Sequence, residues 1–419
     1  MKKLLIIAGA RVHCKVVEAA KEMGIYTIVT DNLENSPAKL IADQKLMYNI
    51  FDIEELVEFG AKNNIDGVLD FCIDPAQKPA QQIAERLGLP TFGTQKQVLA
   101  LTDKNCFKKL CVDNGVDIIP EYSESDIQSG LIQYPVLVKP NDSRGSRGMT
   151  VCYNKDELIQ AIPIAKIESS TGSVIIEKYM ANAQDLTISY IVKDGEPTLI
   201  SLGDRYSGRE EDGLNRQLVC TIQPSKYIDM YLKHVNARVI KMIKNLGIKN
   251  GPVFMQGFVD GNTVRMYDPG IRLPGNEYER IYTKATGINP MKSVISYIIG
   301  DEILDHKRMS GSYDLNGKCA IQYMINVGPG KVAEIIGLDE ISKHPNVIDV
   351  GLNFEIGHQV EQTGDIRHRI GEISVLVNRN ADDMLDIIEF IQSKLKIISD
   401  KGENMIISPF DAKIISEDY

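Results

Sequence analysis

Residues 1–95 alternate short apolar runs with helix-spaced segments, and that alternation constrains the fold more than any other feature of the chain. Lys3–Ala8 reads as a strand, Val12–Met23 as a helix, and Tyr26–Thr30 as a second strand closing at Asp31. Ile53–Asn63 then reads as a helix, Gly67–Phe71 as a strand and Pro79–Leu87 as another helix. Strands separated by helices join in parallel through crossovers, which predicts a parallel sheet covered by helices. Dinucleotide binding would need a glycine fingerprint in the first turn, but that turn reads GARVHC, without GxGxxG. Asp31 would suit a ribose hydroxyl, yet without the glycines this segment reads as a scaffold that walls a substrate pocket.

The stretch Tyr134–Thr150, YPVLVKPNDSRGSRGMT, carries the strongest chemical signal. Pro135–Val138 reads as a buried strand with Lys139 at its end and Pro140 stopping it. Gly145 and Gly148 follow, interleaved with Ser143, Arg144, Ser146 and Arg147. Glycines let backbone amides approach an anion, hydroxyls add donors, and arginines add fixed charge. A triphosphate grip is one reading; a glycine-rich surface turn with a solvated arginine pair is the other. Upstream, a helix is expected to start near Thr102 as N-cap, with Asp103 suiting the positive end of its dipole. Lys104 and Lys108 sit at that same end, where a cation is misplaced unless something anionic lies nearby.

Beyond the loop, Asp156–Ile162 reads as a helix and Ser173–Ile176 as a strand ending in Glu177-Lys178-Tyr179-Met180. Asp185 opens the strand Leu186–Val192, and Asp194-Gly195 turns it into Thr198–Leu202. Ile228–Leu246 reads as one long amphipathic helix closed by Gly247. A second hairpin, Val253–Val259 and Thr263–Tyr267, delivers Asp268-Pro269-Gly270-Ile271-Arg272-Leu273-Pro274-Gly275. Pro290–Ile299 is expected to be helical. From about Gly311 the pattern turns β-rich (Cys319–Ile325, Val332–Ile336, Val347–Leu352, Glu372–Val377) before a helix at Ala381–Lys394.

Composition narrows the partners. A net charge of −10 argues against nucleic acid and anionic membrane surfaces, both of which reward basic faces. Seven cysteines without a CxxC pair fit reduced, buried thiols better than a disulfide framework or a zinc site. The opening MKKLLIIAGA has too short an apolar run for a signal peptide, and charged residues follow at once. The expectation is a cytoplasmic protein. The six histidines show no metal spacing, and His234 reads as a surface residue.

The ordered set Lys104, Lys139, the Gly/Arg loop, Glu177, Asp185, Gln256, Asp268 and Arg272 resembles the ATP-grasp superfamily. Within it, the set is similar to the carbamoyl-phosphate-synthase-like group and the L-amino-acid (dipeptide) ligases among the carboxylate–amine ligases. The likeness extends through GIYTIVTD, IDGVLD and LGLP in the N-terminal segment and GPGKV near the C-terminus. It implies an α/β and α+β multidomain chain: an ATP-grasp fold with an N-terminal Rossmann-like parallel-sheet domain and a C-terminal β-rich α+β domain. The implied boundaries are 1–95 for the N-terminal domain, 96–120 for a linker helix, 121–185 for the small lobe, 186–310 for the large lobe and 311–419 for the C-terminal domain.

The resemblance also implies roles. Lys104 and Lys139 would contact nucleotide phosphates, with Ser143, Gly145, Ser146, Arg147 and Gly148 folding over them. Glu177, Lys178, Tyr179 and Met180 would form the hinge that reads the adenine, and Asp185 would take the ribose. Gln256 and Asp268 would hold Mg²⁺ or Mn²⁺, although relatives usually place two glutamates there and an Asn where this chain has Gly270. Arg272 and Lys139 would be catalytic, and Arg272, Gly275 and Arg205 would face the substrates. For Arg205, a surface loop charge is the alternative, and the GREEDGLNR loop at 208–216 that follows is unreadable. The implied activity is ATP-dependent joining of a carboxylate to an amine through an acyl phosphate, on amino-acid-like substrates, in a chain that is a homodimer by analogy. A carboxylase, a nucleotide-biosynthesis ligase and a non-catalytic nucleotide sensor are the alternatives.

Overall fold

The computed structural model describes residues 1–141, 148–169, 171–208, 217–275, 278–302, 306–363 and 366–419. The N-terminal alternation forms a four-stranded parallel sheet from β1 (Lys3–Ile7), β2 (Tyr26–Thr30), β3 (Gln44–Leu46) and β4 (Gly67–Asp70), in the order β3-β2-β1-β4. Leu4, Leu5, Ile6 and Ile7 are all fully buried, because crossover helices cover both faces of the sheet. Asp31 closes β2 by accepting from the amides of Gly9 and Leu33, both at 2.8 Å. The carboxylate that would suit a ribose is thus occupied in shaping the first turn.

One helix begins earlier than its pattern predicts. Asp74–Arg86 starts with Pro75 in its first turn and runs through Pro79, at which the sequence had placed its start. This shift matters, because it puts Asp74 and Gln77 at the carboxyl end of β4.

The small lobe is an antiparallel sheet of β5 (Glu121–Tyr122), β6 (Val136–Pro140), β7 (Thr150–Cys152) and β8 (Val174–Lys178), ordered β5-β8-β6-β7. Glu177 lies inside β8, not past its end, because it pairs with Leu137 on one side and Glu121 on the other. The helix Lys104–Asp113 is capped by Asp103 accepting from Cys106 N at 2.9 Å. Thr102 is not the cap; its hydroxyl donates back to Val98 O.

The large lobe supplies β9 (Asp185–Lys193), β10 (Glu196–Ser207), β11 (Leu218–Gln223), β12 (Gly251–Asp260) and β13 (Thr263–Gly270). The C-terminal part adds β14 (Lys318–Asn326), β15 (Gly330–Ile336), β16 (Val347–Leu352), β17 (Gln359–Val360), β18 (Arg369–Asn378) and β19 (Lys396–Ser399). One sheet of eight strands, β13-β12-β9-β10-β11-β14-β18-β16, runs from the large lobe into the C-terminal part, while β17-β15-β19 form a smaller sheet. The long helix expected over 228–246 breaks in two at Val235, whose φ of −118° leaves the helical range. Beside the break, the buried Tyr190 hydroxyl bonds both Tyr231 and Asn236, at 2.8 and 2.5 Å. Among the described residues no helix is long and apolar enough to cross a membrane.

Candidate active site

The candidate residues come from two sheets, β5-β8-β6-β7 and the large eight-stranded one. From the small lobe, Lys139 projects from β6, opposite Ile175 of β8. Its Nζ donates to Glu177 Oε1 at 2.6 Å, while Lys108 Nζ reaches Glu177 Oε2 at 3.3 Å and also pairs with Glu121. Glu177, Lys108 and Lys139 are 2%, 4% and 7% exposed, so these charges are removed from water and depend on one another. Burial holds the Lys139 ammonium below the ordinary lysine range; Glu177 opposes that shift, and nearby Lys108 and Lys104 add to it.

The stretch 177–180, expected as a hinge, has its backbone partly committed. The amides of Lys178 and Tyr179 donate to Pro120 O and Pro135 O, at 2.9 and 3.0 Å. Met180, buried at 6% exposure, follows them with an amide that makes no such bond among the described residues. Gly148 is described; Ser143, Gly145, Ser146 and Arg147 lie outside the described residues, as do residues 209–216.

From the large lobe, Gln256 of β12 and Asp268 of β13 are direct cross-strand partners, which sets both side chains on one face of the hairpin. Burial raises the Asp268 carboxyl above its usual range, against the pull of Lys104, Arg272 and Lys139. Residues from both lobes therefore act on the same carboxylate. Among the described residues no three His, Cys, Asp or Glu side chains gather as a metal cage. One carboxylate and one amide oxygen suit an ion such as Mg²⁺, which keeps waters and takes most of its remaining ligands from phosphates.

Asp185 is more engaged than the sequence suggested. Its Oδ2 accepts from Arg205 Nε and its Oδ1 from the Tyr267 hydroxyl, both at 2.9 Å. Tyr267 in turn stacks on Phe258 with ring centroids 4.9 Å apart. Neighbouring Asp204 is fully buried and structural in its contacts: it accepts from Ser225 Oγ at 2.6 Å, from Lys226 N at 2.9 Å and from the hydroxyl of the C-terminal Tyr419.

Arg272 lies just past the end of β13, its guanidinium 4.8 Å over the Phe254 ring. Gly270 leaves room for this pose, since a Cβ there would sit 3.2 Å from Arg272 Cγ and 3.3 Å from its Nε. Arg272 Nε donates to Asp74 Oδ1 at 2.9 Å and its Nη1 to Leu273 O at 3.1 Å. Gln77 ties the same segment down: its Nε2 donates to Asp74 Oδ1 at 3.1 Å and its Oε1 accepts from Ile271 N at 2.9 Å. Gly275 packs so tightly on the N-terminal domain that a Cβ would meet Cys72 Cβ at 2.9 Å. Asp74, Gln77, Tyr267 and Phe254 are absent from the sequence-derived set. The only signal for the first two was an Asp-Pro helix start after a parallel strand.

Asp70, at the carboxyl end of β4, is 7% exposed, and its Oδ2 has no bond among the described residues. Burial pushes its carboxyl from the ordinary 3.8 up to about 7, although Arg272 pulls it down. The folded chain therefore binds this proton more tightly than the unfolded chain does. Stability should fall as pH rises from about 4 to about 7. Asp70→Asn is expected to flatten that slope and to stabilise the protein by about 2–4 kcal/mol at about pH 8. Urea unfolding across this pH range reads both effects; an unchanged slope in the variant would place the titration elsewhere.

Comparison with known proteins fits this geometry. Residues 103–263 match the carbamoyl-phosphate synthase L chain ATP binding domain, and residues 323–398 match L-amino acid ligase C-terminal domain 2. The chain has the ATP-grasp fold. The first match spans Lys104, Lys139, Glu177, Asp185 and Gln256 and ends before Asp268 and Arg272. A curated relative, the formate-dependent phosphoribosylglycinamide formyltransferase of Prochlorococcus marinus (strain NATL1A), is 26% identical over 255 residues, covering 59% of this chain. This chain spans 64% of that relative's length. An L-amino acid ligase from Bacillus licheniformis superposes with a TM-score of 0.78 at 19% identity, over 95% of this chain and 99% of that one. The biotin carboxylase domain of Hydrogenobacter thermophilus 2-oxoglutarate carboxylase, solved with MgADP, gives 0.74 at 19% identity, over 93% and 89%. At these identities the solved structures establish the ATP-grasp fold of this protein.

Proposed function

We propose that this protein uses ATP to join a carboxylic acid to an amine of the amino-acid class, releasing ADP and phosphate. The reading is supported by the cross-strand pair Gln256 and Asp268, with Lys104, Arg272 and Lys139 all pulling the Asp268 carboxyl down against its burial. Those cations suit a polyphosphate, and a carboxylate cannot be aminated until its oxygen becomes a leaving group. Lys104 and Lys139 would bind the phosphates, the Met180 amide would face the adenine edge, and Asp185 with Tyr267 would border the ribose. Gln256 and Asp268 would hold Mg²⁺, which supplies charge neutralisation for phosphoryl transfer.

Arg272 would orient the substrate carboxylate toward the γ-phosphoryl group and carry the negative charge that builds there. The attack forms an acyl phosphate, which an amine then displaces. Exclusion of water from the site would limit hydrolysis of that intermediate. The matched domains and the named activities of the relatives support an ATP-dependent ligase over a nucleotide sensor.

A phosphate-release screen across pairs of amino acids tests the reading. Turnover should require Mg²⁺ and both partners. Asp268→Asn should lower it by about 100-fold and raise the Mg²⁺ concentration needed for half-activity. ATP binding without release for any pair would instead identify a sensor, and dependence on bicarbonate a carboxylase.

A further inference from the structure

Arg205 meets Asp185 because the two are cross-strand partners on one face of β9 and β10. Gln184 fixes the same point, its Nε2 donating to the carbonyls of Asp185 and Arg205 at 3.1 and 2.9 Å. In β13, a β-bulge makes Tyr267 the extra residue between Met266 and Asp268. The bonds that hold Asp185 therefore enter β13 one residue before the candidate metal carboxylate.

The other face of β10 carries a second set of contacts. Side chains alternate along a strand, so Asp204 and Tyr206, which flank Arg205, point to the opposite side from it. Both meet one segment, residues 410–419. Tyr419 donates its hydroxyl to Asp204 Oδ2, and that hydroxyl lies 3.5 Å from the Tyr206 hydroxyl. Phe410 packs edge-on against the Tyr206 ring, with centroids 5.1 Å apart. Gln392 anchors the segment by donating to Phe410 O at 2.7 Å, and Lys226 pairs with Asp418. Asp204 is fully buried and Phe410 is 2% exposed, so these are interior contacts. A hydroxyl bond to a buried carboxylate is costly to remove, whereas a solvated one contributes little. Tyr419 thus reaches both neighbours of one arginine, 213 and 215 positions away along the chain.

We propose that Tyr419 is a positioning residue for nucleotide binding: through Asp204 and Tyr206 it fixes β10 at Arg205, so that Arg205 holds Asp185 ready for the ribose of ATP or ADP. The assignment rests on the nucleotide site of the ligase reading above. Both Asp185 oxygens accept a bond, from Arg205 and from Tyr267, and each keeps a further lone pair for a ribose hydroxyl. A carboxylate already held in one orientation loses little freedom when the ribose arrives.

Calorimetric titration of the full-length protein with MgADP tests this. Tyr419→Phe keeps the ring, removes only the hydroxyl, and should weaken ADP binding by about fivefold. Arg205→Ala should weaken it by about tenfold. Adding Tyr419→Phe to Arg205→Ala should then cost no more than about a further twofold, because both act through one arginine. In the phosphate-release assay Tyr419→Phe should raise KM for ATP and leave kcat near its original value. Phe410→Leu loosens the Tyr206 side alone and should weaken ADP binding in the same direction, which keeps the test open if Tyr419→Phe folds poorly. Unchanged ADP affinity in a folded Tyr419→Phe, whatever its melting temperature, or losses that multiply in the double variant, overturns the assignment. If the unaltered protein binds no ADP, the nucleotide reading itself fails; ADP binding that is indifferent to Tyr419 removes only this proposal.

Discussion

Arg272→Ala is expected to lower the rate of ligation by about 100- to 1000-fold while leaving ATP affinity within about threefold. The reason is positional. The guanidinium lies over Phe254, is bonded to Asp74, and, like Lys104 and Lys139, pulls down the carboxyl of Asp268. A group held this firmly loses little entropy when charge develops in front of it. Arg272→Lys should recover little activity, because an ammonium cannot keep the Nε bond to Asp74 and still present a planar fork to substrate. Asp74→Ala removes the support without touching the guanidinium and should cost about tenfold in kcat with KM for ATP unchanged. Single-turnover phosphate release on the three variants separates these outcomes. Full activity in Arg272→Ala would remove this residue from the chemistry.

The largest effect on stability is expected at Glu177. It is 2% exposed and answers two buried lysines, with Lys139 at 2.6 Å and Lys108 at 3.3 Å. Glu177→Ala leaves Lys139 without its ion-pair partner and Lys108 with Glu121 alone, and should destabilise the protein by about 3–5 kcal/mol. Glu177→Gln keeps an acceptor but not the charge, and should fall between. Adding Lys139→Met to Glu177→Ala should restore part of the loss, since the uncompensated ammonium is then gone. Urea unfolding of the single and double variants measures the coupling, and strictly additive losses would argue that the pair contributes no mutual stabilisation.

Much of this was legible in the chain because its signals are local. The alternation in residues 1–95 dictates a parallel sheet, and β2, the helix Ile53–Asn63, β16 and the helix Ala381–Lys394 have the ends their patterns predict. The Asp260-Gly261 turn sets β12 against β13, and that register places Gln256 opposite Asp268. What the sequence hides is set by distance along the chain. Asp74 and Gln77 meet residues 271–272 almost two hundred positions away. Nothing in the pattern near Asp185 announces that Arg205 and Tyr267 will occupy both of its oxygens. Errors at helix starts have a smaller cause: Thr102 and Asp103 are both good caps, and only the geometry of the turn selects Asp103.

The bonds that Asp74 and Gln77 send to residues 271–272 also bear on how such chains can be recombined. A chimera that grafts a foreign first domain onto the rest of this chain would preserve every other residue and still lose the brace behind Arg272. Compatibility between parts would then turn on two side chains at one helix start, so the natural unit of exchange is the core together with that helix.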